Sequence, residues 1–341
     1  MLDRRQLLRR RHSRRRMSRR QVLTAAAGLA AGLGLTRAPA QTLNKLVRVI
    51  VGFPAGGGTD ITARVLAEAL QGRYANTIIV ENKPGASARL AVEFVKNATP
   101  DGTVMLFTPD FPMTLYPHSF RSLSYDPVTD FIAVGPAAKG MLTFVVGPAV
   151  PAEVKTLTDF VQWCKANPAT ANYATTSAGG TPHFTGVMLA MAAGVKMTPV
   201  HYRGGAPAIQ DLVGGHVPAS INPVSEVIEF AKAGSLRILA VTGAKRTPFL
   251  PDVPTMKEAG YDVVVESLSG LFLPAKTPDD IVAALSTALR DATRSKDMID
   301  NLAKFGTEPT FMTPAEFGAA IKAEIARWAP VVKASGFVAT D

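Results

Sequence analysis

The chain has 341 residues, 37 Lys+Arg against 27 Asp+Glu, a formal net charge of +10 at pH 7 and one cysteine. A single cysteine excludes an internal disulfide framework, so stability must come from packing and hydrogen bonds. The basic excess does not imply nucleic acid as a partner: residues 1–40 hold eleven arginines and one acid, and taking these away leaves 26 basic and 26 acidic side chains, a balance of zero.

In chain order, the arginine-rich start is followed by an apolar stretch, Val22–Leu35, and then by Ala38-Pro39-Ala40. A charged region, a short apolar region and a small-x-small site describe an export signal peptide over residues 1–40, removed near Ala40. A stretch of fourteen residues falls short of the roughly 20 that a membrane-spanning helix needs. Ser18-Arg19-Arg20-Gln21-Val22-Leu23 carries the paired arginines of a twin-arginine signal. The remaining length exceeds what one hydrophobic core usually serves, so two lobes are expected.

Beyond the leader, short β-branched runs alternate with amphipathic stretches. Strands are expected at Leu46–Phe53, Thr77–Glu81, Thr103–Phe107, Thr143–Val146, Asn172–Thr175, Thr198–His201, Arg237–Val241 and Val263–Glu266. Helices are expected at Asp60–Gln71, Ala86–Asn97, Leu157–Ala166, Phe184–Ala193, Pro207–Val213 and Val224–Ala233. That alternation predicts an α/β fold with parallel sheets covered on both faces. Two longer helices, Pro278–Arg290 and Pro314–Ala329, follow with no strand between them, each opened by a threonine, a proline and an early acid. Cys164, beside Trp163 in a helical pattern, reads as core.

The segment Gly52-Phe53-Pro54-Ala55-Gly56-Gly57-Gly58-Thr59-Asp60 runs from strand through glycines into a helix start. Glycines allow close backbone approach and a helix start offers free N–H groups, a combination that favours an anionic ligand. A phosphate loop is excluded because Gly58 stands where its lysine should be, and a dinucleotide fingerprint because Ile61 replaces its last glycine. Similar strand-to-helix loops occur at Asn172–His183, Val200–Ala208 and Ile221–Ser225. Four such loops fit ligand binding at the carboxyl ends of the strands of an open α/β sheet. No G-x-S-x-G, H-E-x-x-H, C-x-x-C or EF-hand pattern is present, and the histidines lack metal-ligand spacing, so neither a metal nor a cofactor is expected. His183 can orient its loop or touch the ligand. The alternative function is a secreted α/β hydrolase using Ser177 and His183.

At these residues the chain resembles the Bug-type receptors, the extracytoplasmic solute receptors of tripartite tricarboxylate transporters. The likeness includes Phe53–Asp60, Val80-Glu81-Asn82-Lys83-Pro84-Gly85-Ala86, Pro100-Asp101-Gly102, Tyr125–Phe131, Ser177–His183, Tyr202-Arg203-Gly204-Gly205, Asp211–Gly215 and Pro251–Thr255, in order. The resemblance implies a two-lobed periplasmic-binding-protein fold of type II with a ligand cleft between the lobes. Residues 42–140 and 268–341 would form the first lobe and 141–267 the second. It also implies a non-enzymatic receptor that closes over a small organic carboxylate (a di- or tricarboxylate, an amino acid or an aromatic acid). That receptor would act as a monomer, passing its ligand to membrane transporter subunits or a sensor. Phe53, Ala55, Gly57, Thr59, Asp60, Ser177, Gly179, Thr181, His183, Tyr202 and Gly204 are the ligand-binding residues it points to. Three positions bear on specificity. Arg89 follows Pro84-Gly85-Ala86 where the family usually has glycines and an asparagine, and could pair with a second carboxylate. Asn222 stands in a segment that departs from the family pattern, and Glu226, where small hydroxyl residues are common, could hold an amine.

Overall fold

The computed structural model describes residues 43–339; the expected signal peptide and its twin-arginine motif lie outside them. The first strand, β1 (Leu43–Val51), is exposed at Asn44–Leu46, is buried on both faces from Val49 to Val51, and enters the glycine loop directly. Helix α1 (Gly58–Leu70) follows, burying Ala63, Leu66, Ala67 and Leu70 on one stripe. Next come β2 (Ala75–Asn82), a 3₁₀ turn at Ala86–Ala88, α2 (Arg89–Lys96) and β3 (Val104–Pro109). Two single-turn helices, α3 (Phe111–Thr114) and α4 (Tyr116–Ser119), precede the long strand β4 (Phe131–Val146).

The second half begins with α5 (Leu157–Ala166), whose capping box joins the Thr156 and Asp159 side chains to each other's backbone N–H. Strand β5 (Asn172–Thr175), α6 (Thr181–Ala193), β6 (Thr198–His201), α7 (Gly205–Val213), β7 (Ala219–Pro223), α8 (Val224–Lys232) and β8 (Arg237–Val241) then alternate. The chain returns through β9 (Glu266–Pro274), α9 (Asp279–Thr293), α10 (Lys296–Ala303), β10 (Glu308–Pro309) and α11 (Pro314–Ser335).

The sheet order is β2-β1-β3-β9-β4-β7-β5-β6, with β8 and β10 also paired to β4. The expected parallel pairing holds for β1 with β2 and β3, and for β5 with β6 and β7. It fails at the centre, where β9 runs antiparallel to both β3 and β4. Strand β4 changes partners along its length. Phe131–Met141 pairs with β9, whereas Leu142–Val146 pairs with β7 and β8, so one strand belongs to two groups. Only Thr143–Val146 of it was expected; the rest is masked in sequence by Pro136, which sits at a register shift where a missing N–H is tolerated. Likewise β9 begins where Val263–Glu266 was expected to end. Cys164 is buried as expected, and burial pushes its thiol up to about 12.

Candidate functional site

Six loops converge where β1, β3, β5, β6 and β7 end and where β4 and β9 cross. They line a cavity of about 80 Å³ that opens to solvent. Its apolar wall includes Phe53, Pro54, Phe111, Met141 and Leu142, and its polar wall includes Thr59, Thr176, Thr181, Ser225, Ser267 and Glu226. Phe53 and Phe111 meet edge to face at 5.9 Å between ring centroids, which fixes the apolar floor. A second space of about 370 Å³ lies beyond Phe53, Pro54 and Thr176, bounded by Pro84–Ala88 and His201–Gly204.

The expected residues divide into those that face these spaces and those that hold them in shape. Phe53, Gly57, Thr59, Thr181 and Glu226 line the first cavity; Tyr202 and Gly204 line the second. Ala55 is exposed at the loop tip. Asp60 is 2 % exposed and its carboxylate accepts from Gly56 N–H, from Arg64 twice and from Asn82, all at 2.9 Å. Burial alone would raise its pKa, but the bonds from Arg64, Gly56 and Asn82 outweigh it and hold the carboxyl below its ordinary range. Since Asn82 also donates to the Phe53 carbonyl at 3.0 Å, this cluster braces the whole glycine loop.

The Ser177–His183 loop is braced from behind. His183 is buried; its Nδ1 accepts the Gly179 N–H at 3.2 Å, which places the proton on Nε2. Phe184 stacks on it and Phe337 meets its edge at 4.4 Å. Desolvation, with His201 nearby, pushes its pKa down to about 3, so it is neutral at physiological pH. Ser177 Oγ is buried and lacks a hydrogen bond of acceptable geometry; the neighbouring Tyr116 hydroxyl donates instead to the Ser87 carbonyl at 2.8 Å. A nucleophilic serine needs a base within reach. Here His183 accepts at Nδ1 and carries its proton on Nε2, so neither ring nitrogen is free to take a proton from serine, which removes the geometric basis of the hydrolase alternative. Tyr202 donates to Asp211 at 2.7 Å. Gly179 accepts from Ser119 Oγ at 3.3 Å.

Of the three specificity positions, Arg89 lies outside both cavity walls; its guanidinium stacks over Phe120 at 4.2 Å and donates to the Ala86 carbonyl. Asn222 is fully buried and donates to Glu226 Oε2 at 2.6 Å, while Ser220 donates to its Oδ1. Glu226 Oε1 accepts the N–H of Gly58, the first residue of α1, at 3.1 Å. Burial pushes the Glu226 carboxyl up, against the pull of the Asn222 and Gly58 bonds. Sequence reasoning missed Phe111, Lys139–Leu142, Ser267, Ser269 and Thr307. Phe111 opens α3, Thr307 precedes β10 and the others lie where β4 and β9 cross, and none of these places carries a motif.

The family described as "Tripartite tricarboxylate transporter family receptor" matches residues 62–337. The chain belongs to that family. It is 30 % identical to protein BugT of Bordetella pertussis over 92 % of this chain and 95 % of that one. The solved periplasmic binding protein BugD is 29 % identical with a TM-score of 0.81, covering 86 % of this chain and 98 % of that one. An R. palustris protein solved with adipate is 30 % identical with a TM-score of 0.82 over the same shares. The receptor is therefore a solute-binding protein of the two-lobed periplasmic-binding-protein fold, and not an enzyme. No helix among the described residues is long and apolar enough to cross a membrane.

Proposed function

We propose that this receptor captures a small organic carboxylate in the cavity between its lobes and delivers it to membrane transporter subunits or a sensor. The observation that carries the reading is the cavity itself, where a glycine loop and the start of α6 meet hydroxyl side chains. Helix starts and hydroxyls stabilise a carboxylate without an arginine clamp. The adipate held by the related R. palustris protein supports the same ligand class. Phe53, Gly57, Thr59 and Thr181 are the contact residues of the first cavity and Tyr202 and Gly204 those of the second. Asp60, Ser177, Gly179 and His183 shape the loops that present them.

Residues 42–140 with 268–341 form one lobe and 141–267 the other. The switch of β4 pairing between Met141 and Leu142 supports the first boundary. Contacts of Gly58 with Glu226, Ser119 with Gly179 and Phe337 with His183 then bridge the cleft. Ligand bound between two such surfaces stabilises the closed form and shifts the open–closed population, which is the signal a transporter or sensor reads. The protein acts as a monomer in the periplasm, exported by the twin-arginine route and cleaved near Ala40. Calorimetric titration of residues 41–341 with mono-, di- and tricarboxylates tests the reading. One-to-one binding of at least one acid is the expected result, and heat from none of them would refute it.

A further inference from the structure

The start of α1 was expected to receive the ligand's negative charge. In the structure a carboxylate is already there, and it belongs to the protein. Glu226 reaches from α8 to accept the Gly58 N–H at 3.1 Å, and Asn222 holds its other oxygen at 2.6 Å. The surrounding backbone is cut to fit it. A Cβ on Gly205 would lie 1.8 Å from Glu226 Oε2, and one on Gly58 would lie 3.2 Å from Glu226 Cγ. Glu226 is the single acidic side chain in the cavity wall, and the single basic one, Lys139, is tied to Glu308 at 3.0 Å.

Two consequences follow from charge alone. A ligand carboxylate placed beside Glu226 would meet a like charge in a partly dehydrated site, where repulsion is strong. A ligand cation there would find an acceptor with unused lone pairs, since each carboxylate oxygen can take about two bonds and each here takes one from the protein. The start of α6, with Thr181 on the same cavity wall, remains open to a carboxylate.

We propose that Glu226 is a specificity-determining residue that turns the cleft toward amino-carboxylates. The ligand presents a protonated amine to Glu226 and its one carboxylate to the Thr181 side. This rests on the receptor reading above and narrows its ligand class. An ammonium beside Glu226 also favours the charged carboxylate over the neutral acid that burial promotes.

Pairs of probes with equal numbers of methylene groups test it by thermal shift and calorimetry: β-alanine with succinate, 4-aminobutyrate with glutarate, and 5-aminopentanoate with adipate. The wild type is expected to bind at least one amino member about tenfold or more tighter than its dicarboxylate partner. Glu226→Gln should abolish that preference and Glu226→Ser reverse it. Should Glu226→Gln fail to fold, Gly205→Ala carries the test, because it displaces the carboxylate while keeping it in the chain. A dicarboxylate preference in the wild type, or an amine preference that survives both Glu226 variants, overturns the role of Glu226 and leaves carboxylate binding standing. Binding of no member of any pair overturns this proposal and counts against the carboxylate reading as well.

Discussion

Substituting Asp60 by asparagine tests whether the glycine loop depends on its buried brace. The carboxylate takes four bonds, one from Gly56 N–H, two from Arg64 and one from Asn82. Asparagine keeps the shape and one acceptor oxygen but sets its own N–H₂ against donors that point inward. Arg64 is 54 % exposed and regains water, so its loss is discounted. What remains is a charged acceptor serving Gly56 and Asn82, worth about 2 kcal/mol. For a protein of this size that is a fall in Tm of about 3–4 °C. The pH dependence has a definite sign. The Asp60 pKa is lowered on folding, so its contribution is complete above the unfolded value of about 3.9 and disappears as pH falls through the lower folded value. Urea denaturation of wild type and variant at several pH values reads both features. The gap should be constant from pH 7 down to about 5 and close only below about 4. A variant as stable as the wild type at pH 7, or a gap that closes near neutrality, would refute the reasoning.

Other sites give sharper local readouts. His183 should keep its Nε2–H tautomer with no protonation between pH 5 and 8 in ¹⁵N-edited NMR, because its pKa is depressed to about 3; a midpoint near 6.5 would contradict its burial. Its linkage runs in the same direction as that of Asp60: unfolding takes up a proton between about pH 6.5 and 3, so this group makes the fold less stable as pH falls through that window. Ser87 is left-handed at φ 54° between Ala86 and Ala88, which are left-handed too; Ser87→Gly should raise stability by about 0.5–1 kcal/mol in denaturant melts, and an equal or lower midpoint would show the turn to be unstrained. Gly205→Ala should expel the Glu226 carboxylate from its seat, lowering Tm by several degrees, and an unchanged melt with an unchanged ligand profile would count against that seat.

Much of the fold was legible because local signals and tertiary needs agree. Strands β5, β6 and β8 and helix α5 fall where β-branched runs and helical periodicity put them. The start of α11 was legible for the same reason, since Thr313 and Glu316 form the capping box that the sequence announces. Helix α11 nevertheless continues through Pro330 to Ser335, because Trp328 and Val332 are buried on its inner face and packing outweighs one missing N–H. At Thr277 the expected cap does not form; its hydroxyl donates to the Pro274 carbonyl, and Pro278 opens the helix. The antiparallel centre could not be read, because Ser267, Ser269 and Gly270 break the apolar run of β9 and because pairing is a long-range property.

The loops that line the cavity were legible for a different reason: glycines at a strand-to-helix junction mark places where backbone comes close to open space. Residue by residue the match is looser. Asp60 and His183 carry the polarity of binding residues yet spend it on their own loops. Glu226 has the opposite history. Its charge does not say which way it faces, and only the three-dimensional approach of α8 to Gly58 places it at the cavity. No local pattern encodes that meeting, since 168 residues separate the two partners.

Native mass spectrometry of residues 41–341, titrated with mono-, di- and amino-carboxylates, tests the central claim most directly when run beside Ala206→Trp, a substitution that fills the cavity. The account predicts a one-to-one carboxylate complex in the wild type and its loss in the variant. A protein that takes up no carboxylate, or a complex that survives the filled cavity undiminished, would contradict it.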